Sequence, residues 1–217
     1  MKTSRRGALA LGLGGAAAAA TRPAQARPQR RSFLVSTWDF GAAANAAASA
    51  RWEATANLLD ALEAGAQVPE ADPANHSVGF GGYPDRDGHV TLDAIIMDDR
   101  GNLGAVGALE DILHPISVAR RVMEKTPHTM LVGVGARQFA LSQGFAPIKL
   151  LTPEAEAAWR DWLQTAEYKP LANSENQRGS ALDHDTIGML ACGPDGALAG
   201  ACTTSGMAFK LRGRIGD

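Results

Sequence analysis

Residues 41–62 are rich in alanine, and this segment limits what the chain can fold into. Alanine is the strongest helix former, because its methyl group loses no rotamer freedom. It also offers little apolar bulk, so such a helix is best stabilised where its small side chains let it lie close on a sheet. Leu58, Leu59 and Leu62 give the segment its larger contacts, and Gly65 stands where a C′ residue would end it. Strand signals to supply the sheet are present. Residues 33–37 read as a short first strand, and residues 89–97 and 103–109 flank the Asp98-Asp99-Arg100-Gly101-Asn102 turn as a hairpin. An apolar run returns at 130–134. A second hairpin joins 187–192 to 197–204 around Gly193-Pro194-Asp195-Gly196. Further helices are expected over 115–125, where Pro115 suits a first turn, over 135–143 closed by Gly144, and after Thr152-Pro153. The last carries Trp159, Trp162 and Leu163. Strands and helices mix without β-α-β alternation or internal repeat, which predicts an α+β fold with helices packed outside sheets.

The 217 residues, 45% hydrophobic and 20% charged, suffice for one domain with a real core. Its first residues stand apart. Lys2, Ser4, Arg5 and Arg6 form a basic head before the apolar residues 7–20, and Ala24-Gln25-Ala26 offers small residues to a signal peptidase. Ser4-Arg5-Arg6 with Leu9 beyond it looks like a twin-arginine export signal, without the usual bulky residue after the arginines. The apolar run is short for a bilayer span and no later segment is long enough. Residues 1–26 are therefore expected to be a cleaved signal, and the protein to be exported, periplasmic or secreted. Removing them takes away four basic and no acidic groups, leaving 17 Lys and Arg against 23 Asp and Glu, a net charge of −6. Nothing in that balance attracts nucleic acid, and no membrane partner is expected of the mature chain.

Cys192 and Cys202 would permit a disulfide in an oxidising compartment. The hairpin places Cys192 near Ala197, so Cys202 lies about five strand residues away, roughly 17 Å. A disulfide needs Cα atoms within about 7 Å, so two small core residues are expected. Asp85-Arg86-Asp87-Gly88 opens like a calcium loop but lacks the downstream acidic ligands, and reads as a turn. Gly133-Val134-Gly135 lacks the third glycine of a dinucleotide loop. The five histidines show no metal-ligand spacing, so no metal is expected.

Residues 169–185 are polar, aperiodic and rich in Asn, Ser and Gly, an exposed loop that ends abruptly at His184-Asp185-Thr186-Ile187-Gly188. A threonine hydroxyl inside a chain is a poor nucleophile. Cutting the bond between Asp185 and Thr186 would give Thr186 a free α-amine beside its own hydroxyl. That amine has a pKa near 8, so a useful fraction is unprotonated and can take the hydroxyl proton. A threonine that opens a strand at a loop junction is where such a terminus would be both fixed and reachable.

Several motifs in order carry a resemblance. They are Ser36-Thr37-Trp38, the run Gly81-Gly82-Tyr83-Pro84-Asp85-Arg86-Asp87-Gly88-His89-Val90-Thr91-Leu92-Asp93-Ala94, and Pro115-Ile116-Ser117-Val118-Ala119-Arg120. Residues 126–133, 184–189, 200–206 and 212–217 follow. From about Phe33 onward the chain resembles the glycosylasparaginases, which are N-terminal-nucleophile amidohydrolases. The resemblance implies a four-layer αββα sandwich and self-cleavage before Thr186 by an N→O acyl shift. Asp185 would assist and His184 would support the loop. Residues 27–185 would become an α chain, residues 186–217 would begin a β chain, and the chains would stay together, (αβ)2 being the implied assembly. Thr186 and Thr204 match catalytic hydroxyls. Arg214 matches the grip on the substrate α-carboxylate, which suits a planar guanidinium. Asp217 matches the partner of the α-ammonium, and Trp38 an active-site wall, a role compatible with its also being a buried core aromatic. The implied substrate is a small glycosylasparagine or asparagine derivative, cleaved at its side-chain amide, and the implied amide hydrolysis needs no cofactor.

Two departures accompany the resemblance. Residues 177–183 look inserted beside the scissile bond. The family also continues beyond the position of Asp217, with a Thr-Gly pair that supplies the oxyanion hole, so the expected sandwich is incomplete, with uncovered sheet faces and edges. The alternatives are an L-asparaginase or isoaspartyl peptidase of the same superfamily, and, in another class, an inactive fragment or partner-binding module.

Overall fold

The computed structural model describes residues 32–168 and 186–216. The expected signal (1–26), the loop 169–185 with His184 and Asp185, and Asp217 lie outside them. The elements are β1 (Phe33–Ser36), α1 (Gly41–Thr55), α2 (Leu58–Glu70), β2 (Leu92–Asp98), β3 (Leu103–Leu109), α3 (Pro115–Lys125), β4 (Met130–Val132), α4 (Gly133–Ser142), α5 (Pro153–Leu163), β5 (Ile187–Cys192) and β6 (Leu198–Thr204). The strands form one mixed sheet in the order β1-β5-β6-β2-β3-β4, antiparallel throughout except for the β3–β4 pair. The hairpin latest in sequence therefore sits in the middle of the sheet. The fold is α+β.

The sheet's two faces differ. Ile187, Met189 and Ala191 of β5, Ala199 and Ala201 of β6, and Ala94 and Ile96 of β2 point to the side covered by α1, α2 and α3 and join one buried core. Small residues let the helices settle there, as the alanine content predicts. A Cβ on Gly104 of β3 would come within 2.0 Å of the Ala119 carbonyl oxygen of α3. On the other face Val35, Ile95, Met97, Leu190, Met130 and Val132 stay a third or more exposed, an open apolar surface. The second sheet of a four-layer sandwich is not among the described residues. Nor is any described helix long and apolar enough to cross a membrane.

Three sequence expectations need correction. The helix expected over 41–62 is two helices. Ala56 takes a left-handed conformation at φ +50°, and Asn57 begins α2 by accepting hydrogen bonds from the Leu59 and Asp60 amides. An asparagine side chain that satisfies two orphan amides makes this the better place to restart the helix. Gly65 does not end a helix; it lies buried inside α2, where its missing side chain leaves room for Met189 and the Ala44 carbonyl of α1. The strand expected from residue 89 begins at Leu92, because Asp85 draws the preceding backbone into a turn through the Asp87 and His89 amides. The hairpin register places Cys192 opposite Leu198 and Cys202 opposite Gly188, too far along the strands to face one another. Cys192 is buried and Cys202 half-buried.

Candidate active site

Strand register assembles the site. Ile187 pairs with Thr203, which sets Thr186 beside Thr204, and Thr204 pairs in turn with Asp93. Side chains alternate along a strand, so Thr186, Thr204 and Asp93 form a row across three strands at one end of the open face. The Thr186 hydroxyl donates to Thr204 Oγ1 at 3.0 Å. Thr204 Oγ1 also accepts from the Gly206 amide at 2.8 Å and donates to the Ser77 carbonyl at 3.3 Å. One donor and two acceptor sites are all a hydroxyl has. Thr204 is thus fully committed and buried, and it holds the half-buried Thr186 hydroxyl in a fixed direction.

The end of β1 holds Thr186 from the other side. Trp38 takes φ +63° and turns the chain out of the ladder. Thr37 completes the pairing with its side chain: its hydroxyl accepts from the Gly188 amide at 3.0 Å and donates to the Thr186 carbonyl at 2.9 Å. The Trp38 indole N–H reaches the same carbonyl at 3.1 Å. Trp38 is 55% exposed, so it is not a core aromatic. It borders the row as a wall would, and its indole nitrogen anchors the Thr186 backbone.

Residues 205–216 close the row at its far end. Arg214 Nη1 donates to the Gly216 carbonyl at 2.8 Å, and the Gly216 amide donates to Asp93 Oδ2, also at 2.8 Å. Asp93 Oδ1 accepts from the Ala108 amide at 2.7 Å. Gly206 has φ +68°, and a Cβ there would stand 2.9 Å from the Gly216 carbonyl and 3.2 Å from Arg214 Nη1, so only glycine fits where the loop's two ends meet. Lys210 is almost fully buried, with Nζ donating to the Thr91 carbonyl at 3.2 Å and to the Ser205 carbonyl. Burial pushes the Lys210 ammonium down to about 8, against the opposing pull of Asp93, and pushes the Asp93 carboxyl up from its ordinary value.

A second buried network lies beneath the row on the helix side. Thr203 Oγ1 donates to Glu70 Oε1 at 2.7 Å, the Ile116 amide at the start of α3 donates to the same oxygen at 3.0 Å, and His114 Nδ1 lies 3.0 Å from Oε2. Burial raises the Glu70 carboxyl, opposed mainly by its His114 and Thr203 contacts. One carboxylate thus ties α2, α3 and β6 together directly behind Thr204.

Of the site residues expected from sequence, the structure gathers Thr186, Thr204 and Trp38 into hydrogen-bonding distance and brings Arg214 to the same end of the sheet through Gly206. His184, Asp185 and Asp217 lie outside the described residues. Thr37, Glu70, Asp93 and Lys210 were not singled out from the sequence. Thr37 and Asp93 fall inside the resembling motifs, but only the strand register shows what they touch. Among the described residues no three His, Cys, Asp or Glu side chains are placed to hold a metal ion.

A sheet with helices on one face and a strand-opening threonine held by a second hydroxyl defines a candidate N-terminal-nucleophile site. Comparison with known families matches residues 12–217 to the family described as Asparaginase, and the chain belongs to that family. It is 55% identical over 187 residues to the N(4)-(Beta-N-acetylglucosaminyl)-L-asparaginase of Elizabethkingia miricola, covering 86% of this chain and 53% of that one. It is 38% and 39% identical to the enzymes of the same name from Rattus norvegicus and Mus musculus, covering 85% of this chain and 60% of each. The motif-based resemblance to glycosylasparaginases is upheld. The chain spans between half and three fifths of the length of these curated relatives.

Proposed function

We propose that this chain carries the nucleophile and substrate grips of an amidohydrolase that splits glycosylasparagine into aspartate and a glycosylamine. The observation that carries the reading is the 3.0 Å contact from the Thr186 hydroxyl to a fully committed Thr204, at the junction where residues 169–185 meet β5. The names of the relatives supply the substrate class.

Processing comes first. The Thr186 hydroxyl attacks the Asp185 carbonyl, the acyl group moves from nitrogen to oxygen, and water hydrolyses the ester. An α chain ending at Asp185 and a β chain starting with a free Thr186 amine result. Asp185 assists the shift and His184 supports the loop. In turnover the Thr186 amine accepts the hydroxyl proton as Oγ1 attacks the side-chain amide carbon of the substrate. The C–N bond breaks, the proton passes to the departing glycosylamine, and the aspartyl ester is hydrolysed by water to regenerate the hydroxyl. Thr204 orients the Thr186 hydroxyl until its proton is transferred to the amine. Arg214 binds the substrate α-carboxylate through a charge-assisted pair, Asp217 binds the α-ammonium, and Trp38 borders the pocket. The open apolar face is where the second sheet of the four-layer αββα sandwich packs. Residues 1–26 direct export, and the α and β chains remain associated, as (αβ)2 in the assembled protein.

The test is turnover by the product of the whole reading frame that encodes this chain. Glycosylasparagine, free asparagine and a β-aspartyl dipeptide are offered at equal concentration, and aspartate release is measured. The reading expects the highest kcat/KM for glycosylasparagine and loss of turnover in Thr186→Ala. Preference for either other amide replaces the substrate assignment, and no turnover by protein bearing an N-terminal Thr186 refutes it.

A further inference from the structure

We propose that Asp93 is a positioning residue for substrate recognition, fixing through Gly216 the loop that carries the Arg214 grip; this rests on the function proposed above. Asp93 stands in the same row as Thr186 and Thr204, paired with Thr204 in the β2–β6 ladder. Its two oxygens are committed to different partners. Oδ1 takes the Ala108 amide, where the backbone adopts φ +48°, and Oδ2 takes the Gly216 amide. The first bond fixes the carboxylate to β3. The second fixes the end of the 205–216 segment to the carboxylate. Arg214 is tied to that end through its bond to the Gly216 carbonyl. Lys210 anchors the beginning of the same segment by donating to the Ser205 carbonyl, and the positive charges of Lys210 and Arg214 both act on Asp93.

Two opposite buried charges thus hold the two ends of one loop, and Arg214, the proposed carboxylate grip, stands on that loop between residues 205 and 216. A buried carboxylate 8% exposed with two amide donors is costly to desolvate. A neutral side chain would close a sheet end at lower cost. What the charge adds is a strong, directional acceptor for the Gly216 amide, which sets where the Arg214 guanidinium lies relative to Thr186. A grip that holds the α-carboxylate equally in the ground state and the transition state shows in KM, with kcat little changed.

The experiment compares wild type, Asp93→Asn and Arg214→Ala in the processed product of the whole reading frame. Substrates are glycosylasparagine and the same compound with its α-carboxylate converted to the carboxamide. Wild type is expected to favour the α-carboxylate. Asp93→Asn, with self-cleavage at Thr186 and Tm near wild type as folding controls, is expected to raise KM for the α-carboxylate substrate about tenfold with kcat within about twofold, the scale of one lost charge-assisted hydrogen bond. Its preference for carboxylate over carboxamide shrinks by the same factor. If wild type prefers the carboxylate and Asp93→Asn prefers it as strongly, or if only kcat falls, the role of Asp93 is overturned while the function stands. If wild type shows no such preference, the assignment of Arg214 fails and the inference fails with it. Should Asp93→Asn not yield processed protein, Asp93→Ser is measured for the same KM and preference, with the same two outcomes.

Discussion

Gly65→Ala should destabilise the protein even though alanine is the better helix former. Gly65 sits inside α2, and a methyl group there would gain about 0.8–1 kcal/mol of intrinsic helix preference. Against that, the added Cβ would stand 2.5 Å from Met189 Cε, 2.8 Å from the Ala44 carbonyl oxygen and 3.1 Å from Ala48 Cβ. The methionine methyl can swing aside. The Ala44 oxygen is backbone of α1 and moves only if the two helices part, which forfeits contacts along both. Overpacking of this kind costs about 1–3 kcal/mol, so the clash outweighs the propensity gain. The expected net loss is about 1 kcal/mol, a fall in Tm of roughly 2–4 °C for a domain of this size. Gly135→Ala in α4 is the matched control, because a Cβ there meets nothing within 4 Å. It should gain about 0.4–1 kcal/mol. Thermal unfolding of both variants, followed by circular dichroism, reads the two signs directly. A Gly65→Ala Tm at or above wild type would show that α1 and α2 are not in close backbone contact and would refute the reasoning.

The remaining predictions concern the site and its buried charges. Thr37→Val keeps the shape of the side chain but removes its bonds to the Thr186 carbonyl and the Gly188 amide, so kcat should fall about tenfold; Thr37→Ser should restore most of it, and a Ser variant as slow as Val would count against the hydroxyl's role. Burial lowers Lys210 from 10.5 to about 8, so between those pH values the unfolded chain binds more protons than the folded one. That group therefore makes stability rise with pH across this window, and Lys210→Met should flatten the rise in denaturant midpoint measured from pH 8 to 10.5. A midpoint that rises as steeply in the variant would assign the effect to another group.

Local structure was legible where one residue type has one use. Pro115 and the Thr152-Pro153 pair mark helix starts that the structure places as expected, and both hairpins follow from their turn residues. Gly65 misled because a glycine that ends a helix and one that admits a close neighbour look alike in sequence. The break at Ala56 turns on one Asn57 side chain accepting two amides, a local competition that the alanine content concealed. The site was legible as motifs but not as an arrangement. Thr37, Asp93, Thr186 and Thr204 meet because the last hairpin inserts between β1 and β2, a pairing set by tertiary packing. Asp93 and Lys210 are ordinary charges in the sequence, and only burial and register make them anchors of the Arg214 loop.

The claim on which the rest depends is that Thr186 becomes an N-terminal nucleophile. Intact mass and N-terminal sequencing of the purified product of the whole reading frame test it directly. The account predicts two chains, the second beginning at Thr186, and a single uncut chain in Thr186→Ala. An active wild-type protein whose Asp185–Thr186 bond stays intact, or a Thr186→Ala variant still cut at that bond, would contradict it.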